Sequence, residues 1–491
     1  FKLVNKTRNH KKDLKHIIFF FVCLFTGFLI SKTNEDFSYY HLPNSLQFAM
    51  NKLEFGLGNL NHGFKHFSSL FLINSLFFLP LVKFYLFNIT NFMLQIFFFS
   101  SLAVILYKNY KNNFTIILAL VSLITYLTKF YRLSEYGADY FGQFLVLLSF
   151  IILSLSFSAS KQSAIDKKEI FLIAMYLVIF AVTTKFLYVI YLLMPMFIIF
   201  NQYNFREIVK FTFEKKFFTI SIALLFTVLF FNYTATGCLI YPMIVSCFTE
   251  TTDWSVPKDV INQLNLHYKA WSKAGIGAGY GVESVKSYLS GLSWIDNWIK
   301  TYFFNKVSDY ILVILFISLI LLFVFKKDFK KNNKINFKIN ISLLSYVSII
   351  SVFSLWFFNF PSLRYAGYSI LFLLLVVPLC IYLAKNLNFN KTIVKKKIKI
   401  LIILALIIFN IKNIQRLNNE LNLKNYEHHN FLNFPFYWVD NVEYKSILIN
   451  GKYFYEVTNN KSCWNVPPTC LRDRDYLNIQ TKNGYFFYRK K

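Results

Sequence analysis

Long apolar runs separated by short lysine-rich pieces limit how this chain can fold more than any other feature. Many runs approach the roughly 20 residues that a helix needs to cross a bilayer. Of the 491 residues, 56% are hydrophobic and only 16% are charged, whereas soluble domains are about 25% charged. The pattern predicts an all-α polytopic membrane protein and argues against a cytoplasmic enzyme or a disordered scaffold.

The net charge of +29 does not indicate a nucleic-acid partner. Of the 53 basic residues, 45 are lysines and only eight are arginines. The chain is also rich in Phe, Ile, Asn and Tyr, the composition that an AT-rich genome encodes. The placement of the charges is therefore more informative than their total, and we expect no nucleic acid among the partners.

Eleven segments are predicted to span the membrane. They lie near 17–31, 91–107, 114–131, 141–157, 170–184, 186–201, 217–231, 308–325, 339–358, 367–384 and 398–412. With this topology, the N-terminus and every second connection share one face, which carries 27 of the 53 basic residues and six of the 24 acids. By the positive-inside rule that face is cytoplasmic. We therefore expect a multi-pass bacterial inner-membrane protein with its N-terminus inside and its C-terminal tail in the periplasm.

Two apolar stretches need separate treatment. The first span is not followed by a small-residue cleavage site, so we expect an uncleaved anchor. Residues 68–87 are apolar enough to span, but a span there would reverse the lysine asymmetry. We expect them to form a helix at the outer interface, broken at Pro80, although a spanning helix remains open.

The chain divides into a transmembrane domain, 1–412, and a tail, 413–491. The transmembrane domain contains a first outer loop at 32–67 and a large outer loop at 232–307. In the tail, two Asn-Gly pairs between alternating apolar residues predict β-hairpins and hence a small extracytoplasmic β module. Function is expected in the two loops and at the helix ends that face them.

Two groups of acidic residues lie at these helix ends. Glu35 and Asp36 follow the first span, and Asp36 shares a helical face with Tyr40 and His41, which we expect to contact the substrate. There Asp36 is suited to act as a general base or to help bind a divalent cation. The alternative is that Asp36 only caps a helix.

The second group is in the turn after the third span, where Arg132, Glu135 and Asp139 fall on one helical face. Charges at such a depth are costly unless they are paired or serve a site. Two interpretations stay open: an Arg132–Glu135 ion pair, or a second carboxylate that faces Asp36 across a cleft.

Two cations lie close to outer helix ends. Lys185 falls between two apolar runs, and Arg364 lies in the turn between the ninth and tenth spans. Both are suited to bind a phosphate group, as is Arg132. Snorkelling to lipid headgroups is the alternative.

The large loop adds three further features. Its four tryptophans, Trp254, Trp271, Trp294 and Trp298, are expected in an aromatic belt at the membrane interface. The glycine-rich stretch 270–285 has no preceding strand and no GKS or GKT motif, so a mobile lid is expected rather than a nucleotide loop. An oxidising compartment favours local disulfides in the pairs Cys238–Cys247 and Cys463–Cys470.

The order of these features resembles the GT-C glycosyltransferases: a basic N-terminus, one helix, an acidic motif, and a second acidic motif in the next outer turn. The chain looks like glycosyltransferase family 39, which includes aminoarabinose transferases and protein O-mannosyltransferases. More closely, it resembles poorly characterised bacterial glycosyltransferase-like membrane proteins. The motifs that carry this resemblance are DFSYYHLP, GLGNLNHGF, SEYGAD, TGCLIYP, DWSVP, FPSLRYAG and CWNVPPTC.

The resemblance implies an inverting glycosyltransferase that uses a polyprenyl-phosphate sugar and a hydroxyl acceptor on a glycolipid, glycan or protein. Asp36 matches the family's base, and Glu135 or Asp139 matches its second acid. Glu35 precedes Asp36, whereas the family commonly has an acid after its Asp. Two points therefore stay open: whether Glu35 shares the catalytic role, and whether a metal is required, with Asp36 and Asp139 as the candidate ligands. Apart from the lipid-linked sugar and a divalent metal, no cofactor is implied.

Other functions stay open. A lipid-linked glycan polymerase or ligase is expected to use loop arginines, but residues 232–307 contain none. A transporter is expected to show paired, interrupted helices in two halves, and the sequence has no such symmetry. A non-catalytic glycolipid-binding protein is the remaining alternative.

Overall fold

The computed structural model contains eighteen α-helices within the residues that it describes. Those residues are 10–29, 33–34, 36–107, 112–157, 167–277, 280–329, 339–387, 392–422, 439, 442–458, 462–471 and 477–490. The helices are α1 His10–Phe28, α2 Leu42–Met50, α3 Leu57–Leu60, α4 Ser69–Ser75, α5 Ile89–Tyr107, α6 Asn113–Lys129, α7 Leu133–Ser154, α8 Lys167–Thr184, α9 Leu193–Phe200, α10 Phe205–Thr212, α11 Lys215–Thr236, α12 Lys258–Ser272, α13 Val285–Tyr288, α14 Ile295–Trp298, α15 Ser308–Phe325, α16 Ile339–Asn359, α17 Tyr368–Asn386 and α18 Thr392–Leu421.

Six helices of the described chain are long and apolar enough to cross a membrane. They are Ile89–Tyr107, Gly137–Phe157, Lys215–Thr236, Ile295–Asp328, Ser342–Asn359 and Leu363–Asn386. The described chain is therefore mainly helical, as predicted, and six candidate membrane-spanning helices are consistent with a membrane protein; the eleven predicted spans are too many. Three predicted spans form apolar helices of fewer than 18 residues, Leu14–Phe28, Asn113–Lys129 and Phe186–Phe200. At 17 residues or fewer, they lie at or below the lower limit of about 17 residues for a spanning helix.

The helices pack around one large apolar core. Helix α7 packs against α5, α8 and α17, and α6 packs against α17 and α18. The span Gly137–Phe157, in α7, is 83% buried, whereas Lys215–Thr236 and Ile295–Asp328 are each 28% buried. The α7 helix is thus central, while α11 and α15 lie at the edge and expose apolar side chains to the surroundings.

The stretch 68–87 does not form the expected helix up to Pro80. Helix α4 ends at Ser75, and the following residues form turns in which Leu79 and Lys83 pair across Pro80. Leu81 is 98% exposed and has a φ of 69°. The helix ends before the proline because Pro80 has no N–H to donate to the Leu76 carbonyl oxygen and disfavours a helical backbone at Leu79.

The predicted β-hairpins of the tail are confirmed. Strands β1 Ile276–Gly277 and β2 Tyr280–Gly281 belong to the large loop, and the tail contains β3 Tyr444–Ile449, β4 Lys452–Val457, β5 Cys470–Leu471, β6 Leu477–Lys482 and β7 Tyr485–Lys490. The pairs β3–β4 and β6–β7 are antiparallel, and β5 pairs parallel to β4. Each hairpin turns at an Asn-Gly pair with positive φ at both residues, the geometry that this dipeptide favours.

The tail packs directly on the first loop. The Phe55 N–H donates to the Phe486 carbonyl oxygen, and the Tyr488 N–H donates to the Phe55 carbonyl oxygen, each at 2.9 Å. The buried Glu54 carboxylate bonds to Lys452 and accepts from the Tyr488 hydroxyl at 3.0 Å. The β strands are therefore fixed to the segment that follows Asp36 and α2.

Two disulfides join the cysteine pairs that the sequence indicates. One joins Cys238 to Cys247 in the large loop, and the other joins Cys463 to Cys470 in the tail. Cys380 is buried in the helical core as a free thiol.

Candidate functional site

Four charged residues from four separate segments meet at one end of the helices. Asp36 precedes the π-helical turn Phe37–His41, Asp139 lies near the start of α7, Lys185 follows the end of α8, and Arg364 precedes α17. We call this group the charged cluster. The sequence singled out all four residues, and the structure brings them together.

Arg364 bonds to both carboxylates of the charged cluster. Its Nη2 atom contacts Asp36 Oδ2, and its Nε atom lies 2.7 Å from Asp139 Oδ2. The Lys185 Nζ atom lies 2.6 Å from Asp139 Oδ1. Asp139 thus bonds to two cations, one through each carboxylate oxygen.

Burial divides the cluster into an inner and an outer carboxylate. The Asp139 side chain is only 7% exposed, whereas that of Asp36 is 26% exposed. Arg364 and Lys185 are 35% and 29% exposed. Asp139 therefore holds the two cations in place, while Asp36 and both cations present surface to an incoming molecule.

Asp36 does not cap the helix that it precedes. Its side chain makes no capping bond to the turn Phe37–His41. The Asn34 side chain does so instead, accepting from the Phe37 N–H at 2.9 Å. The capping interpretation of Asp36 is therefore wrong, and its carboxylate is directed to Arg364.

A break in helix α7 positions Asp139. Gly137 has φ 47° and ψ −144°, outside the helical region, so residues before and after it do not share one regular helical face. A Cβ atom at Gly137 would lie 2.1 Å from the His41 ring. Tyr188 donates from its hydroxyl to the Asp139 carbonyl oxygen at 2.5 Å, which fixes the backbone beyond the break.

The remaining predicted charged residues have different positions. Glu35, and hence its proposed share in catalysis, lies outside the described residues, as does the Glu135 side chain. The Arg132 guanidinium lies over the Tyr131 ring, 5.8 Å from its centroid. Of the second acidic group, the described part of the chain shows Asp139 in the charged cluster.

Two aromatic rings cover the cations. Lys185 Nζ lies 4.0 Å from the centroid of the Tyr365 ring, and the Arg364 guanidinium carbon lies 5.5 Å from that of Trp271. The Trp271 and Tyr365 centroids are 5.5 Å apart. Helix α12 of the large loop thus brings a ring onto the charged cluster, where cation–π contacts stabilise the positive charges.

Tyr40 and His41, the predicted substrate contacts, are packed behind Asp36. Their ring centroids are 4.4 Å apart, and His41 also packs on Phe71 at 5.4 Å. Burial lowers the pKa of His41 to about 4, although Asp36 and Asp139 act in the opposite direction. Burial also raises the pKa of Tyr40 well above its usual value, and the same two carboxylates add to that rise.

Two histidines of the first loop and a tyrosine of α12 form a second polar group beside the cluster. The Tyr268 hydroxyl lies 2.9 Å from His62 Nε2 and 3.0 Å from His66 Nε2. Because the hydroxyl has a single hydrogen, Tyr268 donates it to one ring and its oxygen accepts from the N–H of the other ring. The His66 ring is 5.5 Å from that of Tyr40, so α12 is attached next to Asp36. Burial, followed by His62, lowers the pKa of His66 to about 3.

Sequence reasoning missed this contribution of α12. Trp271 was expected in a membrane belt with three other tryptophans, but it lies at the charged cluster. Trp294 and Trp298 are 1% and 4% exposed and pack in the helical core, so the belt prediction is wrong for them as well. A sequence signal for the neighbouring contact is the histidine pair His62 and His66 in GLGNLNHGFKH, since residues four apart in a helical turn lie on the same side.

The glycine-rich stretch 270–285 is a short hairpin where the structure describes it. Helix α12 ends at Ser272, and β1 pairs with β2; residues 278–279 lie outside the described chain. The Tyr288 hydroxyl donates to the Lys273 carbonyl oxygen at 2.6 Å, which ties this stretch to the following residues.

Within the described residues, the carboxylates of the charged cluster are paired with cations rather than arranged around a metal. No group of three or more His, Cys, Asp or Glu side chains that could hold one occurs within the described ranges. The two candidate ligands, Asp36 and Asp139, both bond to Arg364, and Asp139 also bonds to Lys185. Cations bond to three of the four carboxylate oxygens, Asp36 Oδ2 and both oxygens of Asp139. As described, the cluster is better suited to an anion that contacts the exposed faces of Lys185 and Arg364.

Most of the chain matches a known protein family. Residues 2–372 match a family described as a domain of unknown function (DUF8201). No curated protein and no solved structure matches the chain. The matched region contains all four residues of the charged cluster and helix α12, and it covers well over half of the chain. The chain therefore belongs to the DUF8201 family.

Proposed function

We propose that the chain is an inverting glycosyltransferase that moves a sugar from a polyprenyl-phosphate donor to a hydroxyl acceptor. The observation that carries the proposal is the charged cluster: one partly exposed carboxylate beside two cations that a buried carboxylate holds. A transfer of this kind needs a base for the acceptor hydroxyl and positive charge for the phosphate leaving group.

Asp36 acts as the base in this mechanism. It removes the proton of the acceptor hydroxyl as that oxygen attacks the anomeric carbon from the face opposite the phosphate. The new bond joins the acceptor oxygen to the anomeric carbon, and the bond from that carbon to the phosphate oxygen breaks. The electron pair leaves with polyprenyl phosphate, and the configuration at the sugar inverts.

Lys185 and Arg364 stabilise the departing phosphate. Both retain unused N–H donors after bonding to the carboxylates, because an ammonium has three donors and a guanidinium has five. Asp139 holds the two cations at fixed positions, so little reorganisation accompanies the development of charge on the phosphate. Removing one such preorganised donor typically costs about 10²–10³ in rate.

Trp271 and Tyr365 provide apolar ring surface beside the same cations. Sugars bind to aromatic rings through their C–H faces, and rings next to a phosphate site are well placed to orient the transferred sugar. Helix α12 carries Trp271, so its attachment through Tyr268 to His62 and His66 completes this side of the site.

We place the site at the periplasmic face of a bacterial inner membrane, with the N-terminus in the cytoplasm. The lysine-rich connections support this orientation, and the two disulfides are typical of an oxidising compartment. A lipid-linked donor suits that face because its phosphate already activates the sugar.

The test is release of free polyprenyl phosphate from a mixture of polyprenyl-phosphate sugars, measured by mass spectrometry with the protein in lipid. Periplasmic glycolipids, glycans and proteins are supplied as acceptors. Wild type is compared with Asp36→Asn and with Asp296→Asn, which removes an exposed carboxylate from a surface pair. The proposal is supported if wild type and Asp296→Asn both release polyprenyl phosphate and Asp36→Asn releases at least 100-fold less.

Equal release by all three proteins would remove the role given to Asp36. No release from any donor, together with retained donor binding, would favour a non-catalytic glycolipid-binding protein.

A further inference from the structure

A cavity separate from the charged cluster lies between the first loop and the end of α11. Its volume is about 340 Å³, at the small end of the range for ligand pockets. Helix α2, residues 51–57, and the last residues of α11 enclose it. It therefore suits one portion of an amphiphilic molecule rather than a whole lipid.

The cavity lining is divided into an aromatic end and a polar end. Phe48, Phe67 and Phe231 form the aromatic end: the Phe231 centroid is 5.2 Å from each of the other two. At the polar end, the Gln47 amide donates to Glu54 at 3.1 Å, and the Asn51 amide donates to Gln47 at 3.3 Å. Such a division matches a ligand with an apolar chain and a polar head.

The charges of the lining favour an anionic head. Glu54 is neutralised by Lys452, and its side chain is 4% exposed, so it offers little negative charge to a ligand. Lys52 also lines the cavity and is exposed. The net charge at the mouth is therefore positive.

The surroundings of the cavity indicate where such a ligand comes from. Phe230 and Phe231 line it from α11, one of the helices that is long and apolar enough to cross a membrane. Only 28% of that helix is buried, and Phe226, one turn before the cavity, is 61% exposed. In a bilayer the aromatic end of the cavity thus adjoins lipid chains.

We propose that this cavity binds a membrane phospholipid, with an acyl chain against Phe48, Phe67 and Phe231 and its phosphate near Lys52. The site goes beyond the proposed function and does not depend on it. It nevertheless adjoins the segment of Asp36: the Asn44 amide, which lines the cavity, donates to the Tyr40 carbonyl oxygen at 2.7 Å and to that of Gly63 at 3.0 Å.

Photolabelling tests the proposal directly. The wild-type protein is placed in nanodiscs that contain phosphatidylglycerol with a diazirine near the end of one acyl chain. After irradiation, labelled peptides are mapped by mass spectrometry. We expect strong labelling at Phe48, Phe67 or Phe231, above that of the lipid-facing side chain Phe226.

Two matched substitutions on α11 separate cavity binding from general lipid contact. Ala235 lines the cavity and is 9% exposed, so Ala235→Trp fills it and is expected to reduce cavity labelling at least five-fold. Ala223 is exposed on the same helix, and Ala223→Trp is expected to leave cavity labelling unchanged. Lys52→Gln is expected to reduce labelling at least two-fold, whereas Lys286→Gln, at another exposed lysine, does not.

Labelling confined to lipid-facing positions in the wild-type protein would overturn the proposal, and that result does not depend on whether any variant folds. Cavity labelling that is equal in wild type and in folded Ala235→Trp would also overturn it. Asp36→Asn should keep full cavity labelling, so a failure of the proposed transferase function leaves this result unaffected.

Discussion

Arg364 links Asp36 and Asp139: its Nη2 atom bonds to the first carboxylate, and its Nε atom lies 2.7 Å from the second. The two acids come from segments far apart in the sequence, and the guanidinium fork holds both at once. Lys185 bonds to the other carboxylate oxygen of Asp139, Oδ1. This single arrangement determines which carboxylate organises the site and which is open to a substrate.

Removing the inner carboxylate is expected to weaken the fold as well as the site. In Asp139→Asn, Lys185 and Arg364 lose the group that compensates both charges in a mostly buried position. Loss of one partner of a buried pair costs about 3–5 kcal/mol, and thermal or denaturant unfolding in detergent measures that loss. Asp296→Asn, which breaks an exposed pair with Lys300, should cost less than about 1 kcal/mol. Equal stability of the two variants would contradict the role of Asp139.

The break in α7 is expected to require glycine at 137. An alanine there adopts φ 47° and ψ −144°, close to a region that only glycine readily occupies, which costs about 1–3 kcal/mol. Its Cβ atom also meets His41 Cε1 at 2.1 Å. We expect Gly137→Ala to lower the unfolding temperature and to reduce any activity that depends on Asp139. Gly277→Ala is the control, since a Cβ atom there meets nothing within 4 Å. Wild-type stability of Gly137→Ala would contradict the expected clash between residue 137 and His41.

Stability is expected to fall with acidity because two buried histidines are neutral in the folded protein. Burial lowers the pKa values of His41 and His66 to about 4 and about 3, whereas an unfolded histidine takes up a proton near pH 6.5. Below that pH the unfolded state binds more protons, so stability decreases from about pH 6.5 down to about pH 4 or 3. Each histidine contributes at most about 1.4 kcal/mol per pH unit.

Unfolding temperatures between pH 8 and pH 4 test this expectation. His41→Gln and His66→Gln should each reduce the fall in unfolding temperature below about pH 6.5. Neither substitution should change the slope of unfolding temperature against pH above pH 7. A slope that neither substitution alters would contradict the assignment of neutral, buried histidines.

The buried pair Glu54–Lys452 is expected to couple the tail to the first loop. In Lys452→Met the Glu54 carboxylate keeps only its bonds from Gln47 and Tyr488, and we expect a loss of about 3 kcal/mol. The double variant Glu54→Gln/Lys452→Met should lose less than the sum of the two single variants, with a coupling of about 0.5–3 kcal/mol. Additive losses in a double-mutant cycle would contradict direct pairing. The exposed pair Asp296 and Lys300 serves as the matched control.

Scarce charges at the ends of apolar runs were sufficient to find most of the site. Asp36, Lys185 and Arg364 stand out for this reason, since an isolated charge beside an apolar helix needs a partner. The choice between Glu135 and Asp139 was not accessible, because helical periodicity assumes a regular helix and Gly137 interrupts it. A positive φ at one glycine cannot be read from spacing alone.

Contacts across long sequence separations explain the other misses. Trp271 reaches the charged cluster, and Tyr268 reaches His62 and His66 beside it. Both come from a loop whose position depends on the packing of α12 rather than on any local pattern. The tail hairpins are predictable because an Asn-Gly turn is a local signal. Their docking on Phe55 and Glu54 has no local signal in the sequence. Hydropathy identified the apolar segments and overestimated how many form helices of full spanning length.

The most direct measurement of the central claim compares donor binding with donor cleavage in the same lipid preparation. The donor is the polyprenyl-phosphate sugar that wild type consumes. We predict that Asp36→Asn binds it with an unchanged Kd but releases at least 100-fold less polyprenyl phosphate, because the base is absent and the cations remain. Arg364→Gln should raise the Kd as well as lower release. Cleavage at the wild-type rate in Asp36→Asn, with the protein folded and the donor bound, would contradict the assignment of Asp36 as the base.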